Sequence, residues 1–531
     1  PVLQQMEQPQ NLSISAHDAF QAVTKYWGRI NRPEQVMTDM ISAMRVLTDT
    51  ANTGAVAISL PQDVQAEAYD YPVDFFKKRV WRVDRRPITK YALDKAVEVI
   101  KNAKKPLLIC GGGVRYAEAH KVFKKFAEDF GIAFGETQAG KSAVVWNHEL
   151  NLGGLGTTGN GQAVPHGRLS AANEIARKAD LVIGVGTRYT DFTTASKWLY
   201  RTDAKFVNIN PSEFQAYKMD ATPVVADANE ALTAIGEELA KIGYHTDKAY
   251  AEEVAALRKE WWTEVERLDA VEYTDKEHFT PEINDANREC VEKYIKDTGC
   301  KLCQTTVLGT INHMIDDNAI VCAAAGSLPG DMQGLWRARK ENTYHMEYGY
   351  SCMGYEVASA LGAKIACPDQ EVYAMCGDGS FDMLHSELIT SVQTGHKINV
   401  MLFDNASFGC INNLEVGQGN ASICTEKNML EPGVTNGIHK GKVIQVDYAA
   451  IGAAYGCKTY TVKTLDELKA AIEDAKKQTV STLIDMKVLP KTMSAGYENW
   501  WRVGVAEVST KPEVQAARKA IEDHLFEARH Y

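Results

Sequence analysis

A chain of 531 residues is long enough for three or four domains of about 150 residues each. Hydrophobic residues make up 45% and charged residues 24%, a balance that excludes a disordered chain and supports buried cores. A net charge of −11 argues against nucleic-acid partners, and no apolar run reaches the roughly 18 residues needed to span a membrane.

The N-terminus lacks a basic stretch followed by an apolar one, so it does not read as a secretory leader. Cysteines are scattered, with Cys110, Cys322 and Cys376 inside apolar strands, which suits reduced thiols in a cytoplasmic protein. Cys300 and Cys303 form a C-x-x-C with no second pair or histidines at zinc spacing, so core thiols are expected there.

Residues 1–70 predict helices over His17–Trp27 and Pro33–Thr48 and one strand over Gly54–Pro61. Two helices and one strand cannot cover a parallel sheet, so either this piece docks on something else or it is the C-terminal part of an α/β domain that begins before residue 1, the reading that a first residue of Pro1 favours. Residues 71–90, with Pro72 and Pro87, read as a linker. Residues 91–245 alternate strands (Pro106–Cys110, Ile132–Phe134, Leu181–Val185, Phe206–Ile209, Val224–Val225) with helices and glycine turns, which predicts a Rossmann-like, doubly wound parallel sheet. Residues 246–300 are charged and helical, with Trp261 and Trp262 as packing anchors. Residues 301–490 repeat the α/β pattern, with strands at Ala319–Ala323, Val372–Cys376, Ile398–Phe403 and Thr482–Met486, and 491–531 form an aromatic, then helical, tail.

The most informative stretch is Gly377-Asp378-Gly379-Ser380, which follows the apolar strand Val372–Cys376. Such a turn can bring backbone N–H groups to a phosphate, and the aspartate can hold a divalent cation on it. A helix and a strand later comes Asp404-Asn405-Ala406-Ser407. Mg²⁺ takes six oxygens in an octahedron, and one carboxylate, one asparagine amide, one carbonyl, two diphosphate oxygens and a water would supply them. Gly326 and Ser327 follow another buried strand, where small residues let backbone amides reach an anion. His385, on the helix after the Gly-Asp-Gly turn, is a candidate for proton transfer against the plainer reading of a core or surface histidine.

Two other motifs compete. Gly135–Ser142 matches the P-loop pattern letter for letter, with Lys141 as its lysine, but no amphipathic helix follows and no partner strand ending in aspartate is evident. The turns Leu155–Gly161 and Gly184–Arg188 are glycine-rich without a dinucleotide fingerprint.

Together these segments resemble the thiamine diphosphate (ThDP)-dependent, acetolactate-synthase-like family over essentially the whole chain. The resemblance implies pyrimidine-binding, central and diphosphate-binding domains, the first of them N-terminally truncated. It implies Asp378, Asn405 and the Ser407 carbonyl as Mg²⁺ ligands, with Gly326, Ser327, Gly377, Gly379 and Ser380 around the diphosphate. Tyr350–Glu356 is similar to the segment whose apolar side chain wedges ThDP into a V; Met353 would be the wedge and the Ser351 carbonyl would accept from the aminopyrimidine. Flavin members grip FAD with glycine turns like those above, but tight strand-end turns are the favoured reading here. Glu7 and Glu34 stand in no matching motif, so the family's activating glutamate is expected ahead of residue 1 and the catalytic residue stays unassigned. Sites in this family lie between subunits, which implies a homodimer or dimer of dimers.

The runs Ala324–Trp336, Tyr344–Tyr355, Thr187–Trp198 and Phe403–Glu415 most resemble the branch that hydrolyses a C–C bond of a cyclic, hydroxylated 1,2-dione in myo-inositol catabolism, giving 5-deoxyglucuronate. The segment 410–440, rich in Gly, Asn and Glu, is expected to cover a site for such a polar substrate. The alternatives are a 2-oxo-acid ligase or decarboxylase of the same family, a P-loop nucleotide-binding protein, and a non-catalytic relic of the fold.

Overall fold

The computed structural model describes residues 16–157, 170–274, 285–347, 349–492 and 500–531, without the side chains of 285–288. Near the N-terminus, β1 (Tyr26–Arg29) pairs in parallel with β2 (Val56–Ser59) across the helix Gln35–Leu47. The expected helix over His17–Trp27 is instead a 3₁₀ turn, Ala16–Val23, followed by β1. Tyr26 and Trp27 favour a pleated surface, and pairing with β2 satisfies their backbone groups. Both strands are only half-buried, with Ile30 and Ala43 the buried apolar side chains nearby.

The second unit is a six-stranded parallel sheet of β3 (Pro106–Cys110), β4 (Phe134–Glu136), β5 (Asn151–Gly154), β6 (Leu181–Val185), β7 (Lys205–Ile209) and β8 (Thr222–Val224). Its order is β5-β4-β3-β6-β7-β8. The third unit contains β9 (Ile320–Ala323), β10 (Tyr344–Met346), β11 (Val372–Gly377), β12 (Asn399–Asp404), β13 (Lys458–Val462) and β14 (Thr482–Lys487). Its order is β10-β9-β11-β12-β14-β13, again all parallel. The inner strands are buried along almost their whole length, and β3, β6, β9 and β11 chiefly by apolar residues, because helices cover both faces.

Both sheets have a switch point where the chain changes winding direction, between β3 and β6 and between β9 and β11, and the third unit's sheet turns back a second time at its far edge, where β14 inserts between β12 and β13. Ligands of open α/β sheets bind beyond the strand ends at such a switch point. At the first one the glycine turns close on each other: a Cβ on Gly111 would lie 2.4 Å from the Gly186 carbonyl oxygen. At the second, Gly326 and Gly377 end β9 and β11 and leave room. A Cβ on Gly326 would meet nothing within 4 Å, and one on Gly377 only the Phe403 carbonyl at 4.0 Å.

The two six-stranded units are joined by one continuous apolar core that contains Leu152, Trp261, Trp262, Met332 and Leu335. Trp261 and Trp262 anchor the helix Lys248–Leu268 in the seam, as expected, at 4% and 7% exposure. Arg337 lies over Trp146 and Trp262 and pairs with Asp269 at 2.7 Å. The tail returns over the second unit: Trp198 donates to Glu527, and Arg529 to the carbonyls of Arg201, Thr202 and Ala204.

The P-loop alternative is overturned. No helix follows Ser142, and a Cβ on Gly140 would lie 1.9 Å from the Cys110 carbonyl, so this turn is packed against its own strand. Lys141 is 1% exposed, 3.4 Å from Glu136 and over the Tyr344 ring. Gln138 donates to the Pro329 carbonyl and accepts from the Tyr344 hydroxyl, while Ser142 accepts from the Tyr344 N–H. The segment is mortar between the two units.

Removing one member of a buried ion pair strands the other charge at a cost of about 3 kcal/mol or more. Lys141→Met is therefore expected to lower unfolding stability by about 3 kcal/mol in urea titrations. A change under about 1 kcal/mol would mean that the pair carries no weight in the seam.

Candidate active site

The site is built where β9, β11 and β12 end. Asp378 opens the short helix Asp378–Met383 directly after β11 and is 1% exposed. Burial, then the charge of Asp404, push its carboxyl up to about 7, with the Lys427 ammonium pulling the other way. That ammonium lies 2.9 Å from Oδ2 in an ion pair, without the direction of a good hydrogen bond. Lys427 also pairs with Asp382 and donates to the Tyr448 hydroxyl at 2.7 Å. Burial opposes its charge, but the two aspartates outweigh burial and hold its pKa above the ordinary lysine value.

Asn405 and Ser407 end β12 and are 6% and 5% exposed. Asn405 Oδ1 accepts from the Ser407 N–H at 3.0 Å and from its hydroxyl at 2.9 Å, which folds the turn. Asp404 accepts from the Ala406 N–H and pairs with Lys487 on β14, fixing the strand end. Ala406 adopts a left-handed φ of 52° to close the turn.

Gly326 has φ 104° and precedes the helix Ser327–Leu335, with Ser327 buried. Met353 reaches the Gly-Asp-Gly turn: a Cβ on Gly379 would lie 3.3 Å from its methyl and 2.7 Å from the Phe408 ring. Ser351 is exposed with φ 57°. Glu347 shapes that loop by accepting from the N–H groups of Gly349, Tyr350 and Cys352. Burial works against its charge, but these donors hold its carboxyl below the usual glutamate range.

Ser380 is buried and faces Glu356, which sequence reasoning did not single out. Glu356 is 1% exposed and accepts from the Gly354 N–H at 3.0 Å, with Ser380 and the Ala325 backbone close on the same carboxyl. Burial pushes its carboxyl up while those donors pull it down. One carboxyl thus ties together the loop after β9, the Met353 loop and the Gly-Asp-Gly helix. Its only signal in the chain is an acidic residue within a small, apolar helix. Lys427 gave no signal, since it lies in a loop without periodicity.

His385 is held elsewhere: its Nδ1 bonds the Phe381 carbonyl at 2.7 Å, and its ring stacks on Phe381 and leans on Tyr455. Part of the glycine stretch Leu155–Gly161 lies outside the described residues.

The donor set suits a hard cation with a diphosphate. Among the described residues no group of three or more His, Cys, Asp or Glu could hold a metal. The oxygens of Asp378, Asn405 and Ser407, beside an open glycine cradle, are instead of the kind Mg²⁺ takes when a phosphate supplies the rest.

The comparisons agree with this geometry. Residues 93–235 match the central domain of thiamine pyrophosphate enzymes, and residues 324–486 their C-terminal TPP-binding domain. The whole chain aligns with 3D-(3,5/4)-trihydroxycyclohexane-1,2-dione hydrolases: 56% identical to that of Clostridium tetani, and 58% identical to those of Bacillus cereus strain AH820 and Bacillus anthracis. Each alignment covers 100% of this chain and 80% of the relative. The chain belongs to the thiamine pyrophosphate enzyme family, alongside these hydrolases.

Glu356→Ala is expected to destabilise the protein by about 2 kcal/mol, measured by chemical unfolding, because it leaves the buried Gly354 N–H without its acceptor. Unchanged stability would show that the three loops are held by other contacts.

Proposed function

We propose that this protein is a ThDP- and Mg²⁺-dependent hydrolase that opens the ring of a trihydroxycyclohexane-1,2-dione by cleaving a C–C bond, yielding 5-deoxyglucuronate in myo-inositol catabolism. The observation that carries the reading is the conjunction of two things. Identity of 56–58% to such hydrolases runs along the entire chain, and the buried Asp378 and Asn405 follow the neighbouring strands β11 and β12 of the matching domain, Asp378 beside the switch point between β9 and β11.

In this reading Gly326, Ser327, Gly377, Gly379 and Ser380 surround the diphosphate, the glycines because side chains there would take its space. Asp378, Asn405 Oδ1 and the Ser407 carbonyl hold Mg²⁺. Met353 would be the wedge that bends ThDP into a V, and the Ser351 carbonyl would accept from the aminopyrimidine. When bound, ThDP supplies a carbon nucleophile for a ketone and an electron sink as the adjacent bond breaks. The chain's own work is placement, water exclusion and charge. Segment 410–440 lies against the Asn405 turn through the Phe408 N–H to Thr425 and Lys427 N–H to Ala406 bonds, which supports its role in covering a polar substrate. The half-buried β1–β2 pair supports a site shared between two copies, and the free cysteines a reducing cytoplasm.

The test is consumption of the cyclic dione by the full-length protein, with any residues that precede residue 1 included, in the presence of ThDP and Mg²⁺. Ring opening is expected, and chelation of the metal should abolish it until Mg²⁺ is restored. Turnover of pyruvate with the dione untouched would favour the ligase reading. Asp378→Asn should weaken calorimetric ThDP binding in Mg²⁺ by about 100-fold or more, since it removes the charged ligand. Binding at wild-type strength would sink the assignment of Asp378. Met353→Ala should lower kcat by about tenfold or more with little loss of ThDP affinity, because it loosens geometry without touching the diphosphate.

A further inference from the structure

Segment 418–446 contains no regular helix or longer strand; Asp297 and Lys293 hold it through Val443, Gln445 and Asn428, and a second fastening lies at the turn after β12. Ser407 and Glu426 form an antiparallel bridge, the Lys427 N–H donates to the Ala406 carbonyl, and the Lys427 carbonyl accepts from Ile444. The backbone of Lys427 is thus fastened to the same turn that carries Asn405 and Ser407. From there its side chain, 15% exposed, crosses to Asp378, Asp382 and Tyr448. Asp378 and Asp382 are four residues apart on consecutive turns, and one ammonium serves both.

A metal on Asp378 and an ammonium 2.9 Å from the same carboxylate oxygen cannot share the place. Both are cations, and in a water-poor pocket their repulsion is large. The alternative partners for the ammonium are already present: Asp382, 40% exposed, and the Tyr448 hydroxyl, with the faces of Phe408 and Tyr448 beside it.

We infer that Lys427 is the resident counter-ion of the cation seat. It compensates Asp378 before the metal arrives and withdraws onto Asp382 and Tyr448 when the metal enters. This rests on the proposed role of Asp378 as a metal ligand. Its consequence is that bare metal binds weakly, because it must displace an ammonium, and that diphosphate charge is needed to tip the exchange. Metal and cofactor then load as a pair, and loading tugs on segment 418–446 through Lys427.

Mn²⁺ standing in for Mg²⁺, followed by its electron paramagnetic resonance signal, tests this on the full chain. The titrations are run with and without ThDP at about pH 9, where protons do not compete for carboxylates. Wild type should bind Mn²⁺ weakly alone and far more tightly with ThDP. Lys427→Met should bind Mn²⁺ alone about tenfold more tightly or better, and Lys427→Arg should return to wild-type weakness. Wild-type or weaker Mn²⁺ binding by a folded Lys427→Met, checked by circular dichroism, would overturn the inference and leave a plain loop-holding ion pair. Should that variant not fold, Asp382→Asn decides: it removes the station to which Lys427 withdraws, so Mn²⁺ binding with ThDP should weaken about tenfold, and unchanged binding overturns the inference. Failure of wild type to take up Mn²⁺ even with ThDP would sink the Asp378 assignment itself, a different result from any of these.

Discussion

Burying the carboxylate of Asp378 is the constraint around which the site is organised. A carboxylate at 1% exposure loses its hydration, and only a cation or strong donors restore the balance. Among the described residues, no donor-rich loop surrounds it. The structure places Lys427 on one side and, on the other, an open glycine cradle and the oxygens of Asn405 and Ser407. A site that asks for positive charge and offers space for negative charge next to it suits a metal diphosphate better than either ion alone.

The rest of the fold makes that burial affordable by keeping the three strand ends in register. β9, β11 and β12 are paired along their lengths, Asp404 is locked to Lys487 on β14, and Glu356 gathers the three loops above. The seam with the second unit does the same from below. Gln138 and Ser142 bond to Pro329 and Tyr344, so the Lys141 turn supports the loops that follow β9 and lead into β10. A loop with the letters of a nucleotide-binding motif therefore serves packing, because its lysine spends its charge on Glu136.

Legibility in the sequence followed the range of the interactions. β9, β11 and the middle of β12 were readable because strands covered on both faces are near-continuous apolar runs, and β14 by its buried Leu483, Ile484 and Met486. The Gly-Asp-Gly-Ser turn and Asn405 were readable because short spacing fixes their geometry. β10 and β13 were missed as edge strands: Lys458–Val462 alternates polar residues and is partly exposed. β5, with two glycines in four residues, carries no strand signal of its own and forms by pairing with β4. Tyr26 and Trp27 were misread as the end of a helix because their partner strand β2 lies some thirty residues on. Lys427 and Glu356 were invisible as site residues for the same reason: the groups they meet are distant along the chain, and nothing in their neighbourhood announces the contact.

The most direct measurement is a crystal structure of the protein with Mn²⁺ and ThDP, with the metal located by its anomalous signal. The account predicts one peak roughly 2.0–2.3 Å from a carboxylate oxygen of Asp378, Asn405 Oδ1 and the Ser407 carbonyl, with two diphosphate oxygens completing the shell. A peak bound by other residues, or diphosphate density away from Gly326 and Gly377, would contradict it.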